Sequence, residues 1–127
     1  MKNNGDVAEG WLRKAESDLD AAEACIDSAK GLDAACFHCQ QAAEKSLKAW
    51  LVAHDEDFPL THNLTKLVAL CAAREPRFNE LTDDATVLIP FAVKGRYVAD
   101  FWPSVDEART ALEQARRIYQ FVRDHWS

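Results

Sequence analysis

The residues with the most chemical potential lie around Gly95. Lys94 and Arg96 bring two cations together, Tyr97 adds a phenol, and Phe101 and Trp102 follow within a few positions. A guanidinium and an ammonium suit phosphate oxygens, and aromatic faces suit a nucleobase, so this segment is a candidate anion or nucleotide site. The same residues admit a structural reading. Tyr97, Phe101 and Trp102 could plug the end of a bundle while Arg96 pairs with an acid. Lys45 and Lys48 stand one turn apart and could face an anion, or could simply be surface lysines.

Other patterns carry less. Cys36-Phe37-His38-Cys39 has metal-like spacing, but a structural zinc site needs a second pair of ligands, and Cys25 and Cys71 supply none. Packed core thiols are the expectation, and no metal or cofactor is expected. The glycines at 5, 10, 31 and 95 are isolated and form no phosphate loop. No nucleophile elbow occurs. Asp55-Glu56-Asp57 and Asp83-Asp84 read as solvated caps or loops.

These residues must be carried by something, and the composition narrows what. The chain has 127 residues, a one-domain length, with 48% hydrophobic and 28% charged residues. A folded chain of this size exposes about 6,800 Å² and buries roughly two-thirds of its unfolded surface, enough for a core without staples. Only four glycines and four prolines leave little punctuation for an all-β chain. The net charge of −6 argues against a surface that is wholly a nucleic-acid clamp, though not against one local basic site. The start of the chain lacks the apolar stretch of a signal peptide, and no apolar run reaches membrane-span length. A cytoplasmic protein with reduced thiols, not bound to membrane, is therefore expected.

Apolar spacing predicts helices throughout. Trp11, Ala15, Leu19, Ala22, Ile26 and Ala29 recur at steps of three and four, which predicts a first helix over about 7–30. Asp6 would cap it, with Glu9 completing a capping box and Gly31 ending it. Asp33 would cap a second helix with Cys36, Gln40, Ala43, Leu47, Trp50, Leu51 and His54 inward. Its opposite face would carry Glu44, Lys45 and Lys48, with Glu44 and Lys48 at favourable i,i+4 spacing. Thr61 or Asn63 opens a short third helix with Leu64, Leu67, Val68 and Cys71 inward. A fourth spans about 80–94, kinked or delayed by Pro90 and ended by Gly95. Residues 96–103 read as an aromatic-rich loop. Ser104 and Glu107 form a capping box for a last helix with inward Val105, Ala108, Leu112, Ala115, Tyr119, Val122 and Trp126. The fold class is all-α: an antiparallel up-and-down four-helix bundle with an additional short helix, one domain over 1–127 with its core at about 7–126.

The order of these segments resembles a known family. Trp11 with Ala15-Glu16-Ser17-Asp18-Leu19 and Ala22 resembles the opening of a HEPN domain. Ala35 to Leu51, with Gln40-Gln41-Ala42-Ala43-Glu44-Lys45 at its centre, is similar to the second helix of that family. Thr61-His62-Asn63-Leu64 matches its entry to the third helix, Gly95-Arg96-Tyr97 its Arg-Tyr turn, and Ala108 to Tyr119 its closing helix. The resemblance covers about residues 8–125. It implies a small helical bundle, frequently a homodimer, with a nucleotide-binding role, and in prokaryotes often a partnership with a minimal nucleotidyltransferase in a two-component or toxin–antitoxin pair. Other members of the family are metal-independent ribonucleases that use an Arg-x(4–6)-His motif.

That motif is missing. The positions after Arg96 where the histidine would fall hold Phe101, Trp102 and Pro103, and no other arginine has a histidine at that spacing. Proton transfer at a scissile phosphate needs such a group. Val98 also stands where the turn carries proline. The expected function is therefore a binding module that dimerises and partners a minimal nucleotidyltransferase, with a nucleotide or RNA phosphate site and no catalytic residue. Arg96 and Tyr97 are its first candidates, Lys94 accompanies them, and Lys45 and His62 follow from the family match alone. For Lys45 a surface salt bridge is the competing role, and for His62 a helix-entry cap. The alternatives are a ribonuclease toxin with a displaced base, drawn from His38, His54, His62 or His125, and a structural dimeric bundle without ligand. Phe37, Phe91 and Phe121, outside the inward stripes, could form a patch between two chains.

Overall fold

A computed structural model describes residues 3–127, and among them every regular element is a helix. In chain order these are α1 (Asn4–Ser28), α2 (Leu32–Ala53), α3 (Leu64–Ala72), a 3-10 turn (Pro76–Leu81), α4 (Thr82–Leu88), α5 (Phe91–Tyr97) and α6 (Val105–Asp124). The surface of 6976 Å² agrees with that expected of a compact chain of this length. No described helix is long and apolar enough to cross a membrane.

Helix α1 starts earlier than its apolar stripe suggests, because Asn3 is the cap. Its side chain accepts from the Asp6 backbone N–H, so Asp6 sits in the first turn instead of capping it. The helix also ends earlier. Ala29 takes a left-handed φ of 55°, with Ala29 N–H donating to Ile26 and Lys30 N–H to Cys25, which is a Schellman closure without glycine. Gly31, expected as the stop of α1, instead begins α2 with a φ of 64°, a conformation that glycine adopts without strain. The short connection makes α1 and α2 an antiparallel hairpin.

Helix α2 runs through the middle of the bundle and packs against α1, α3, α5 and α6. Its sequence allows this. Ala35, Cys36, Cys39, Ala42, Ala43, Ser46 and Ala49 are all fully buried and small, so neighbouring helices approach closely. Opposite it, α6 buries Ala108, Leu112, Ala115 and Val122 as its periodicity predicts, and Ala111 and Ile118 besides. Both hydrogen bonds of the Ser104–Glu107 capping box are present.

The largest departure concerns the fourth helix. Instead of one helix over 80–94, the chain makes the 3-10 turn, α4 and α5, with the break at Ile89 and Pro90. Gly95 does not end α5; it lies inside it and is buried. A Cβ there would stand 2.7 Å from Phe37 Cβ and 2.9 Å from the Asp33 carbonyl oxygen. Glycine is needed for α5 to lie directly on α2. The helix then continues through Arg96 and Tyr97, so both belong to its last turn and not to a loop.

Aromatic packing is also redistributed. Phe78 is fully buried, with ring centroids 4.7 Å from Trp50 and 5.0 Å from Phe121. Phe91 packs on Phe101 at 5.7 Å. Phe91 and Phe121 thus lean on their own core instead of forming an outward patch, and Phe37 is half-covered. The exposed apolar side chains near α5 are Val93, Tyr97, Val98 and Trp102.

Substituting Gly95→Ala is expected to destabilise the fold by about 2 kcal/mol, the usual effect of overpacking, because the opposing atoms are backbone and a Cβ. A lowered urea midpoint with an unchanged m-value checks this. An unchanged midpoint would mean that α5 does not rest on α2.

Candidate functional site

The polar residues of α2 do not form the solvent face that their spacing suggests. Glu44 and Lys48 are buried, at 5% and 6% exposure. Their i,i+4 pair forms at 3.0 Å, but inside the protein. The reason is that α2 is enclosed on nearly every side. Trp11 from α1 and Phe58 from the loop after α2 close over Lys48, whose Nζ lies 5.9 Å and 5.1 Å from their ring centroids.

Glu44 is answered at both oxygens. Oε2 accepts from Lys48. Oε1 accepts from Gln40 Nε2 at 3.1 Å and lies 2.8 Å from His62 Nδ1. Gln41 in turn donates to Gln40 Oε1 at 2.7 Å. Burial pushes the Glu44 carboxyl up, and the hydrogen bonds from His62, Gln40 and Lys48 together outweigh it, holding the group below the ordinary glutamate range. His62 therefore serves Glu44 through its ring. The helix-entry cap is Asn63, whose side chain accepts from the Thr65 and Lys66 backbone N–H groups.

A second cluster ties α1 to α2. Asp18 is buried at 7% exposure, inside the apolar stripe of α1. Lys45 Nζ donates to its Oδ2 at 2.7 Å, and His38 Nδ1 lies 2.8 Å from its Oδ1. Lys45 thus has the acid partner expected of a salt bridge, though half-buried between two helices. A carboxylate only accepts, so the Nδ1 of His38 and of His62 carries the proton toward it and leaves Nε2 available. His54 and His125 lie at the far end of the bundle. They stack on Trp50 and Phe121 and each places Nδ1 2.8 Å from a backbone carbonyl four residues back.

Between its ends, what α2 leaves partly open is a stripe of Phe37, His38, Gln41 and Lys45. Arg96 sits at one end. Its guanidinium lies 4.6 Å from the Phe37 ring centroid and 4.7 Å from that of Tyr97, and its Nε donates to the Ala92 carbonyl at 3.2 Å. Among the described residues no carboxylate pairs with it, so the acid partner that a structural role would supply is not seen. Tyr97 is 70% exposed and Trp102 77%. Along α2, Phe37 beneath Arg96 and Glu44 beneath His62 are two turns apart, about 10 Å. Arg96 and Tyr97 therefore stand near one end of the partly open stripe, with Lys45 and His62 toward its other end and Lys45 on the side that faces α1. Lys94 does not join them. It is exposed, and helical register turns it about 200° from Arg96.

Phe37, His38 and Gln41 are members of this stripe that residue types alone did not bring forward as a group, and Asp18 of α1 is the buried acid that holds His38 and Lys45 there. Asp18 carries the clearest signal. An acid between Ala15 and Ala22 on a core stripe must find a cationic partner. The cysteines behave as core. Cys36, Cys39 and Cys71 are buried, and burial pushes each thiol up to about 12. Among the described residues no group of three or more metal-ligating side chains comes together.

Residues 8–125 match the family model of the HEPN domain. Two solved structures share the fold over nearly the whole chain. The archaeal HEPN homologue ST0689 is 24% identical, with 100% of each chain covered and a TM-score of 0.77. TT1696 from Thermus thermophilus is 27% identical, covers 92% of this chain and 96% of its own, and has a TM-score of 0.78. Among curated proteins nothing matches.

The buried pair generates a pH prediction. Glu44→Gln leaves the Lys48 charge unanswered and is expected to lose about 3 kcal/mol at pH 7. A carboxylate whose folded pKa is depressed stabilises fully above its ordinary value of 4.5, and that stability is lost as pH falls through the lower folded value. The gap between wild type and Glu44→Gln should therefore close in acid. Denaturant titrations at several pH values measure it, and a gap that stays constant down to acid pH contradicts the assignment.

Proposed function

Because the chain belongs to the HEPN domain family, we propose that it is a binding module that takes the phosphate of a nucleotide or of RNA along the α2 stripe. It works as a homodimer and as the partner of a minimal nucleotidyltransferase, in a two-component or toxin–antitoxin-type system. The observation that carries the reading is Arg96. Its guanidinium is held between Phe37 and Tyr97 with one hydrogen bond to its own helix and no carboxylate partner among the described residues. Held that way, most of its N–H donors face outward without a counter-charge, a favourable state for a phosphate. Tyr97 and Trp102 present exposed aromatic faces beside it for a base. Lys45 keeps N–H donors beyond the one given to Asp18, and the His62 ring stands along the same stripe.

One observation favours a second reading, a metal-independent ribonuclease. His38 and His62 each have a carboxylate fixing Nδ1, which is how a general base is oriented. Such a base would replace the histidine missing after Arg96. The buried carboxylates also have a purely structural use, so binding without cleavage is the preferred reading.

Fluorescence anisotropy with a labelled single-stranded oligoribonucleotide at low salt tests the proposal. Arg96→Ala should weaken binding about tenfold, the loss of a charge-assisted hydrogen bond. Arg96→Lys should recover only part, and Lys94→Ala should change little. No binding of RNA or any nucleotide, alone or with a nucleotidyltransferase partner, would leave only a structural bundle. Metal-free RNA cleavage that is abolished by His38→Gln or His62→Gln would establish the ribonuclease.

A further inference from the structure

Gly10 stands on the outer face of α1, and no contact among the described residues explains it. It is exposed, and a Cβ added there meets no atom within 4 Å. Its φ is not positive; among the described glycines only Gly31 has a positive φ. Glycine in a helix interior is about 1 kcal/mol less favourable than alanine. The neighbouring surface is also open. A groove of about 570 Å³ runs past Asp6, Val7, Gly10, Trp11, Lys14 and Lys45. Another of about 370 Å³ continues past Gly10, Arg13, Lys14 and Ser17. Gly10 and Lys14 line both. The other sides of α1 are taken by α2 and α6.

The charges on this face name an occupant. Asp6 lies four residues before Gly10 and Lys14 four residues after it. Neither makes an ion pair among the described residues. Two copies of α1 that cross antiparallel at Gly10 place residues equally far from the crossing opposite one another. Lys14 then meets the partner's Asp6, and Asp6 meets the partner's Lys14. A two-fold interface requires this kind of self-complementarity. A parallel crossing would put like charges together. Missing side chains at the crossing let the helix backbones come within the shorter end of the usual 8–10 Å range. Val7 and the open edge of Trp11 add apolar surface on each side. A helix of 25 residues, about 37 Å long, has room for the roughly 800 Å² per partner that a stable complex buries.

We infer that the outer face of α1 is the surface on which a second copy of this chain docks, antiparallel and crossing at Gly10. The inference rests on the self-association in the proposed function and adds its location. Lys45 borders both this groove and the α2 stripe, so the second copy reaches the stripe at Lys45 and leaves Arg96, at its other end, uncovered.

Light scattering across 1–100 µM protein, on the order of ordinary dimer dissociation constants, tests it. Wild type should have the mass of a dimer. Asp6→Lys and Lys14→Glu should each raise the dissociation constant at least tenfold, and the two together should restore it, because the charges are exchanged. Gly10→Leu should also dissociate the dimer. Its far-UV circular dichroism should keep the helix content of wild type, which separates lost docking from lost folding. A dimer indifferent to Gly10→Leu and to both single charge changes overturns the α1 face while leaving self-association intact. A monomer at every concentration overturns both.

Discussion

A charge taken out of water must be met on every side, and Glu44 is where this protein meets that requirement. Its two oxygens draw together Lys48, Gln40 and His62. That fixes the loop before α3 against the middle of α2, and it fixes the imidazole that faces solvent. Lys48 in turn needs the rings of Trp11 and Phe58 over it. The Asp18 cluster does the same between α1 and α2. Replacing these pairs by apolar residues could keep the stability. What it would remove is the placement of His38, Lys45 and His62 along one stripe.

Arg96 depends on a different constraint, which is space. Gly95 lets α5 settle onto the start of α2, and only then does the next residue fall over Phe37. The guanidinium is held by ring faces and one carbonyl, and these hold it without neutralising it. Arg74, Arg77, Arg116 and Arg117 are tied to acids, and Arg13 and Arg109 have neither an acid nor a ring holding them among the described residues, so Arg96 combines a fixed position with an unanswered charge.

Much of this was legible from the order of residues. The apolar steps of α1, α2 and α6 identify them as helices, and the Ser104–Glu107 box starts α6 where it does start. Cys36 and Cys39 are packed thiols, as the lack of a second ligand pair suggests. Other features depend on contacts between distant segments. Periodicity cannot show that a helix is covered on both faces, so Glu44 and Lys48 read as surface until Trp11 and Phe58 are seen to close over them. A glycine read alone signals a helix end, and only the approach of Phe37 shows why Gly95 sits inside one. Ala29 in a left-handed turn leaves no mark in residue type, which is why Gly31 reads as the stop of α1 when it begins α2. Arg96, Tyr97, Lys45 and His62 were all visible as candidates. That Lys94 turns away from them follows only once α5 is known to continue past Gly95.

In the proposed function one stripe, running from Arg96 past Phe37, His38 and Gln41 to Lys45 and His62, receives a phosphate-bearing ligand. Amide chemical-shift mapping during titration with a short single-stranded RNA tests it most directly. Shifts should concentrate at residues 37–45, around His62 and at Arg96 and Tyr97, with Lys94 and the His54–His125 end of the bundle unmoved. Saturable shifts centred on that far end, or none anywhere at millimolar ligand, would contradict it.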